Sequence, residues 1–416
     1  MRRRVISGLV APGAIAALIA AGGASAASAD PDAGAGAGAA HPTAARPTLV
    51  GWAELPAETY VPGSEPSGSA LGTEPVNGVR PPFPGQPVQG VSGVVRNADG
   101  SFLALADNGY GRKETSADFL LRVHRLEPDF RHGRVRASGG GITLSDPDGQ
   151  VRFPLTRPDR VLTGADFDPE SIVRAPDGTF WIGEEFGPYV LHFDRAGRLL
   201  ERPIPVPGAK SPGSPELEPG EKPNLGGSKG LENLAISPDG GTLYPMLEGT
   251  VTGDTPGDLR VYEFDRRRAA FTGRRWTYRM QTPELSVADL IGVGRGRFLA
   301  IERDQLQGDK AAVKKIHLVD LPDRPDRDGN GDGDGLADKT EVVDLLNIAN
   351  PRGLGTPGRV FRFPFFTIEA VTVFDDRTIG VLNDNNFPFD ATRVAGRADD
   401  TEFIKVRLPR PLPRRA

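Results

Sequence analysis

Acidic side chains recur in this 416-residue sequence at two fixed phases of a repeating pattern. In 168-DPESIVRAPDGTFWIGEEFG-187, Glu170 precedes an apolar run, a Pro-Asp-Gly turn follows, and Glu184 and Glu185 close a second apolar run. Glu232 and Glu369 hold the same opening place in 231-LENLAISPDGGTLYPMLEG-249 and 368-IEAVTVFDDRTIGVLNDNN-386. Asp107, Glu248, Glu302, Asp304 and Asp384 hold the closing one. A single acid there is ordinary strand punctuation, but a set at two fixed phases points to a shared site. Carboxylates forced together raise one another's pKa or take up a hard cation through their oxygens. The amides Asn108, Asn233, Asn383, Asn385 and Asn386 suit the same ion, and the pattern points to calcium. Arg112, Lys113, Lys229 and Arg303 interleave with the acids, which suits a small anionic substrate such as a phosphate ester.

The elements that must position these residues are short strands. Five cycles read as apolar strand, turn, apolar strand, acidic or amide cluster: 91–109, 169–187, 231–249, 285–304 and 368–386. A third strand follows each, in FLLRVHRLE, YVLHFDRAG, LRVYEFDRR, KKIHLVDLP and FIKVRLP. Helical signals are sparse. Antiparallel cycles with a drifting period predict an all-β protein, a β-propeller of five to six blades, over a β-sandwich or solenoid. The run 48-TLVGWAEL-55 is placed as the outer strand of the last blade, closing the ring. A sixth blade, if present, falls in 142–166 or 342–366. In a propeller the loop entering each innermost strand and the loop leaving the next strand share one face, so both acid sets crowd the channel mouth. This assigns Glu170, Glu232 and Glu369, with Lys229 and Arg303, to catalysis. Arg112, Lys113 and Asn233 are assigned to substrate, and Asp107, Glu184, Glu185, Glu248, Glu302 and Asp384 to metal.

Three further motifs need separate readings. The run 131-RHGRVR-136 lacks the Arg and Pro of the histidine-phosphatase pattern, having Val135 and Ala137 there, and is set aside. In 226-GGSKG-230, Ser228 has a loop before it and a strand after it, the reverse of a nucleophile elbow, and no histidine is placed to partner it. In 326-DRDGNGDGDGLADKTE-341, Asn330, Asp332, Asp334, Asp338 and Glu341 have the spacing of a calcium loop, with Gly335 at its turn. It reads as a structural calcium site inserted between blades.

Composition bounds the rest. The chain is 38% hydrophobic and 25% charged with net charge −5, a soluble globular balance without the clustered cations that nucleic acid requires. Arg2 to Arg4, an apolar stretch to Ala20 and small residues near 24–29 read as a cleaved secretory signal over 1–29, by the general or the twin-arginine route. An Ala/Gly/Pro linker over 30–47 and one domain over 48–410 follow. No membrane anchor remains after cleavage. Cysteine is absent, so an exported chain must rely on its core and bound cations. The reading is a secreted monomer.

The stretches FDPESIV, DGTFWIGEEFGPY, GGSKGLENLAISPDG, FLAIERD, TIEAVTVF and NDNNFPF resemble the secreted family described as having phytase-like, or esterase-like, activity. The resemblance spans about 90 to 390. It implies a β-propeller and, by relation to propeller phytases, calcium-dependent hydrolysis of phosphomonoesters. A calcium-dependent lactonase or carboxylesterase is the enzymatic alternative, and a non-catalytic binding propeller the other.

Overall fold

The computed structural model describes residues 46–326 and 335–413. The proposed signal, nearly all of the linker, and Asn330, Asp332 and Asp334 of the calcium-type loop lie outside the described residues. The period-2 apolar runs fold as antiparallel hairpins. Gly100, Gly178 and Gly240 end their turns at φ 85, 87 and 68, a left-handed conformation that costs glycine least.

Blade one comprises β2 (Val91–Arg96), β3 (Phe102–Ala106), β4 (Arg122–Asp129) and β5 (Arg134–Thr143). Blade two comprises β6 (Pro169–Arg174), β7 (Phe180–Glu184), β8 (Tyr189–Phe193) and β9 (Ile204–Pro205). Blade three comprises β10 (Asn233–Ile236), β11 (Thr242–Met246), β12 (Asp258–Asp265) and β13 (Ala270–Arg279). Blade four comprises β14 (Ser286–Gly294), β15 (Arg297–Arg303), β16 (Lys314–Asp320) and β17 (Asp338–Asp344).

Two short strands, β18 (Ile348–Ala349) and β19 (Val360–Phe361), precede blade five. That blade takes β20 (Thr367–Asp375), β21 (Thr378–Asp384) and β22 (Thr401–Arg407) from the end of the chain and β1 (Thr48–Leu55) from its start. β1 pairs antiparallel with β22 from Thr48↔Arg407 to Leu55↔Thr401, so the ring closes by strand exchange between the ends. The first strands β2, β6, β10, β14 and β20 each lie against the next, and β20 lies against β2. The described residues therefore form a five-bladed propeller. Segment 142–166 supplies the end of β5 and otherwise only isolated bridges, and 342–366 supplies the end of β17 and the two short strands, so neither is a sixth blade.

The core lies between blades. Trp181 and Phe264 pack edge to face between blades two and three, and Phe102 and Phe403 do so between blades one and five. Polar contacts tie blade four to both of its neighbours. Asn233 Nδ2 donates to the Val287 carbonyl at 2.9 Å, and the Val371 amide donates to Asp289 Oδ2 at 2.7 Å. Asn233, expected to contact substrate, uses its Nδ2 in this inter-blade bond, while its buried Oδ1 has no partner. Burial, against the help of the Val371 amide, pushes Asp289 up to about 7.

Candidate metal centre

Strand register decides which acids meet. The ladders of blades one, two, four and five contain an extra residue near the start of the inner strand, at Ser92, Glu170, Ala288 and Glu369. In blade three the equivalent residue is Glu232, one before β10. Two residues earlier, Gly90, Asp168 and Gly230 accept backbone bonds from Asp107, Glu185 and Glu248, while Ser286 and Thr367 pair with Arg303 and Asp384. The five blades thus present aligned sets around the mouth. One set is Ser92, Glu170, Glu232, Ala288 and Glu369; the other is Asp107, Glu185, Glu248, Arg303 and Asp384.

The acids converge. Ligand oxygens of Asp168, Glu170 and Glu185 lie within 4.8 Å of one another, as do those of Glu170, Glu232 and Glu369, and those of Glu185, Glu232 and Glu248. Each pair of these groups shares one carboxylate: Glu170, Glu185 or Glu232. Those three shared side chains are 8%, 4% and 4% exposed. Among the described residues no N–H or hydroxyl donates to any of them, whereas buried carboxylates ordinarily find donors. A cation with oxygen ligands fits that deficit.

Burial, then neighbouring carboxylates, pushes Glu170, Glu185 and Glu232 well above the usual carboxylate range. Asp107 rises from 3.8 to about 8, by burial and then by the charge of Asp168. Asp384 rises as well, by burial and the charges of Asp107 and Glu369. Two cations offset the cluster: Lys229 Nζ lies 2.8 Å from Glu248 Oε2, and an Arg303 terminal nitrogen donates to Glu369 Oε1 at 2.8 Å. Arg303 Nε is buried without a partner.

The structure separates neighbours that sequence left equivalent. Glu184, expected among the metal ligands, turns into the blade and accepts bonds from the amides of Asp168, Phe186 and Gly187 at 2.7–3.1 Å. Glu302, expected likewise, accepts from the Tyr278 hydroxyl at 2.7 Å and the Gln281 amide at 3.0 Å, and pairs with Lys339 at 2.6 Å. Successive strand residues face opposite sides, so Glu185 and Arg303 reach the mouth and Glu184 and Glu302 do not. Asp304 accepts from the Ala312 and Val313 amides, both at 2.7 Å.

Lys113 lies 4.5 Å over the Phe186 ring, and its charge partly opposes the burial that raises Asp168, so it stands near the cluster. Arg112 is exposed and makes no side-chain contact with the acids among the described residues. Asp338 and Glu341 lie in β17, where Glu341 pairs with Lys315 at 2.9 Å, so both belong to a strand rather than to the end of a calcium-loop turn. Asp168 is the site residue that sequence reasoning missed. It shares a face with Glu170 two residues on, and Asn108 holds it through its amide at 3.1 Å and Nδ2 at 2.7 Å.

Ser228 is exposed, at φ 49 in a turn, without a histidine partner. His124, His192 and His317 sit opposite Ala104, Trp181 and Ala300 in the third strands, away from the mouth. A cavity of about 1480 Å³ opens at the opposite end of the channel between residues such as Val94, Ile172, Ile236 and Val373. It contains none of the clustered acids.

Residues 86–387 match the family described as "Phytase-like: Esterase-like activity of phytase", and the chain belongs to that family. An "Uncharacterized secreted protein" of Arthroderma benhamiae is 37% identical over 105 residues, which span 21% of this chain and 20% of that protein. The chain thus matches about a fifth of that relative's length. Among solved structures, a β-1,3-galactosidase aligns over 77% of this chain and 57% of its own, at 10% identity and TM-score 0.41. A Xanthomonas campestris gluconolactonase aligns over 76% and 71%, at 14% identity and TM-score 0.32.

Proposed function

We propose that this protein is a secreted, calcium-dependent hydrolase of phosphomonoesters, acting at the carboxylate-lined mouth of the propeller. The observation that carries this reading is the set of three buried, donor-free carboxylates, each shared between two potential cation positions. Eight carboxylates (Asp107, Asp168, Glu170, Glu185, Glu232, Glu248, Glu369 and Asp384) outnumber three cations, Lys229, Arg303 and Lys113, a balance of −5 when all are ionised. That excess requires protons or hard cations, and oxygen-only ligands suit calcium. Bound cations of this kind supply Lewis acidity toward a phosphoryl oxygen and lower the pKa of water.

The chain's own residues would do the remainder. Asp168, Glu170, Glu185, Glu232, Glu248 and Glu369 hold the cations. Arg303 Nε, a buried donor without an acceptor, and Lys229 Nζ offer charge-assisted bonds to the anionic group of a substrate. Burial strengthens these interactions by excluding water. Family membership and the secreted relative support export and hydrolysis. Among the described residues no helix is long and apolar enough to cross a membrane.

The test is hydrolysis of an aryl phosphate and an aryl acetate by the purified protein, in calcium and after chelation. Calcium-dependent phosphate release, abolished in Glu232→Gln while the fold persists, supports the reading. Acetate cleavage that survives chelation contradicts it.

A further inference from the structure

Three of the five large apolar side chains that are exposed among the described residues stand on the acid-bearing face: Leu306 at 45%, Phe389 at 44% and Val394 at 52%. Leu306 belongs to the loop that follows Arg303, and Phe389 and Val394 to the loop that follows Asp384. The two loops are tied together. The Thr392 hydroxyl donates to Gln307 Oε1, which joins them, and the Gly308 amide donates to the Pro364 carbonyl at 2.9 Å, which fixes the shorter loop to the segment before β20. The three apolar residues bracket the Gln307–Thr392 bond, at one to three residues from it.

The longer loop is fixed further. Asp399 accepts the Thr392 and Arg393 amides at 2.7 and 3.0 Å, and Arg393 grips Glu402 through two nitrogens at 2.7 Å. Apolar surface held out by such bonds, beside a site, marks a binding surface more readily than a frayed loop does.

We propose that this patch receives the alcohol portion of the substrate, so that the preferred esters are monoesters of an apolar alkyl or aryl alcohol rather than of a polyol. The proposal rests on the hydrolase reading above. The charged end of such an ester would meet Arg303 and Lys229, and its apolar end would cover Leu306 and Phe389. Phe186, half-buried beneath Lys113 on the loop after β7, belongs to the opposite side of the mouth and does not compete for that end.

The experiment compares kcat/KM for hexyl phosphate and glycerol phosphate in calcium, for the wild type and the Leu306→Ser/Phe389→Ser double variant. Calorimetric binding of hexylphosphonate to the same proteins gives a readout without turnover. Both substitutions are at exposed positions, so folding is retained. The expected result is a drop of about tenfold in the hexyl-to-glycerol ratio and in hexylphosphonate affinity, with glycerol phosphate turnover unchanged. Turnover and phosphonate binding that ignore the substitutions overturn the patch proposal alone. Absence of both ester turnover and phosphonate binding in the wild type would overturn the hydrolase reading and this inference with it.

Discussion

At the scale of single residues, hydrogen bonds sort the acids by role. Glu184 and Glu185 are adjacent, yet one is held by three backbone amides and the other by none. Glu184→Gln is therefore expected to cost about 1–3 kcal/mol of stability, read by denaturant unfolding, with calcium affinity little changed. Glu185→Gln should do the reverse. It removes a repelled charge, so the chelated protein should melt at a higher temperature while calorimetric calcium affinity falls at least tenfold. Equal effects from the two variants would undo the distinction. The sequence made the opening acids Glu170, Glu232 and Glu369 legible because each starts a recognisable apolar strand. It could not separate 184 from 185 or 302 from 303, since that choice depends on one residue of register. Asp168 was legible in principle, two residues before Glu170, but the matching places in blades one and three hold glycine, so no repeat announced it.

At the scale of elements, the five hairpins were readable because each cycle holds its own turn and two apolar strands. Closure by β1 was readable because the last cycle lacks a fourth strand and the chain begins with one to spare. The fourth strands themselves were harder to see. β13 and β17 are largely exposed and carry little apolar pattern, and this is why a calcium-type loop was drawn across Asp338 and Glu341. β1 contributes Leu49, Ala53 and Leu55, all buried, to blade five. Deleting residues up to Leu55 should remove several kcal/mol of apolar burial and leave the outer edge of β22 unpaired. That loss approaches the whole stability of a typical domain. Expression of the truncated chain should yield material without a cooperative melting transition; a sharp transition near that of the intact protein would show that closure by β1 is dispensable.

At the scale of the whole molecule, the mouth couples stability to protons and cations. A carboxyl whose pKa is raised by folding keeps its proton longer in the folded state, so its contribution is full below the unfolded pKa and is lost as pH rises through the folded one. For Asp107 that window runs from 3.8 to about 8, and Glu170, Glu185, Glu232 and Asp384 shift in the same direction. The chelated protein should therefore melt at progressively lower temperature from pH 5 to pH 8, and saturating calcium should remove most of that slope. A melting temperature independent of pH after chelation would mean that the acids are not clustered as described. The ring needs no disulfide to be stabilised in this way, consistent with the absence of cysteine.

Calorimetric titration of the chelated, purified protein with calcium at pH 7.5, beside Glu232→Gln, tests the central claim most directly. Saturable binding by the wild type, weakened at least tenfold in the variant with its melting transition intact, is the predicted result. Binding that is absent, or unchanged by Glu232→Gln, would contradict a cation centre built on the shared carboxylates.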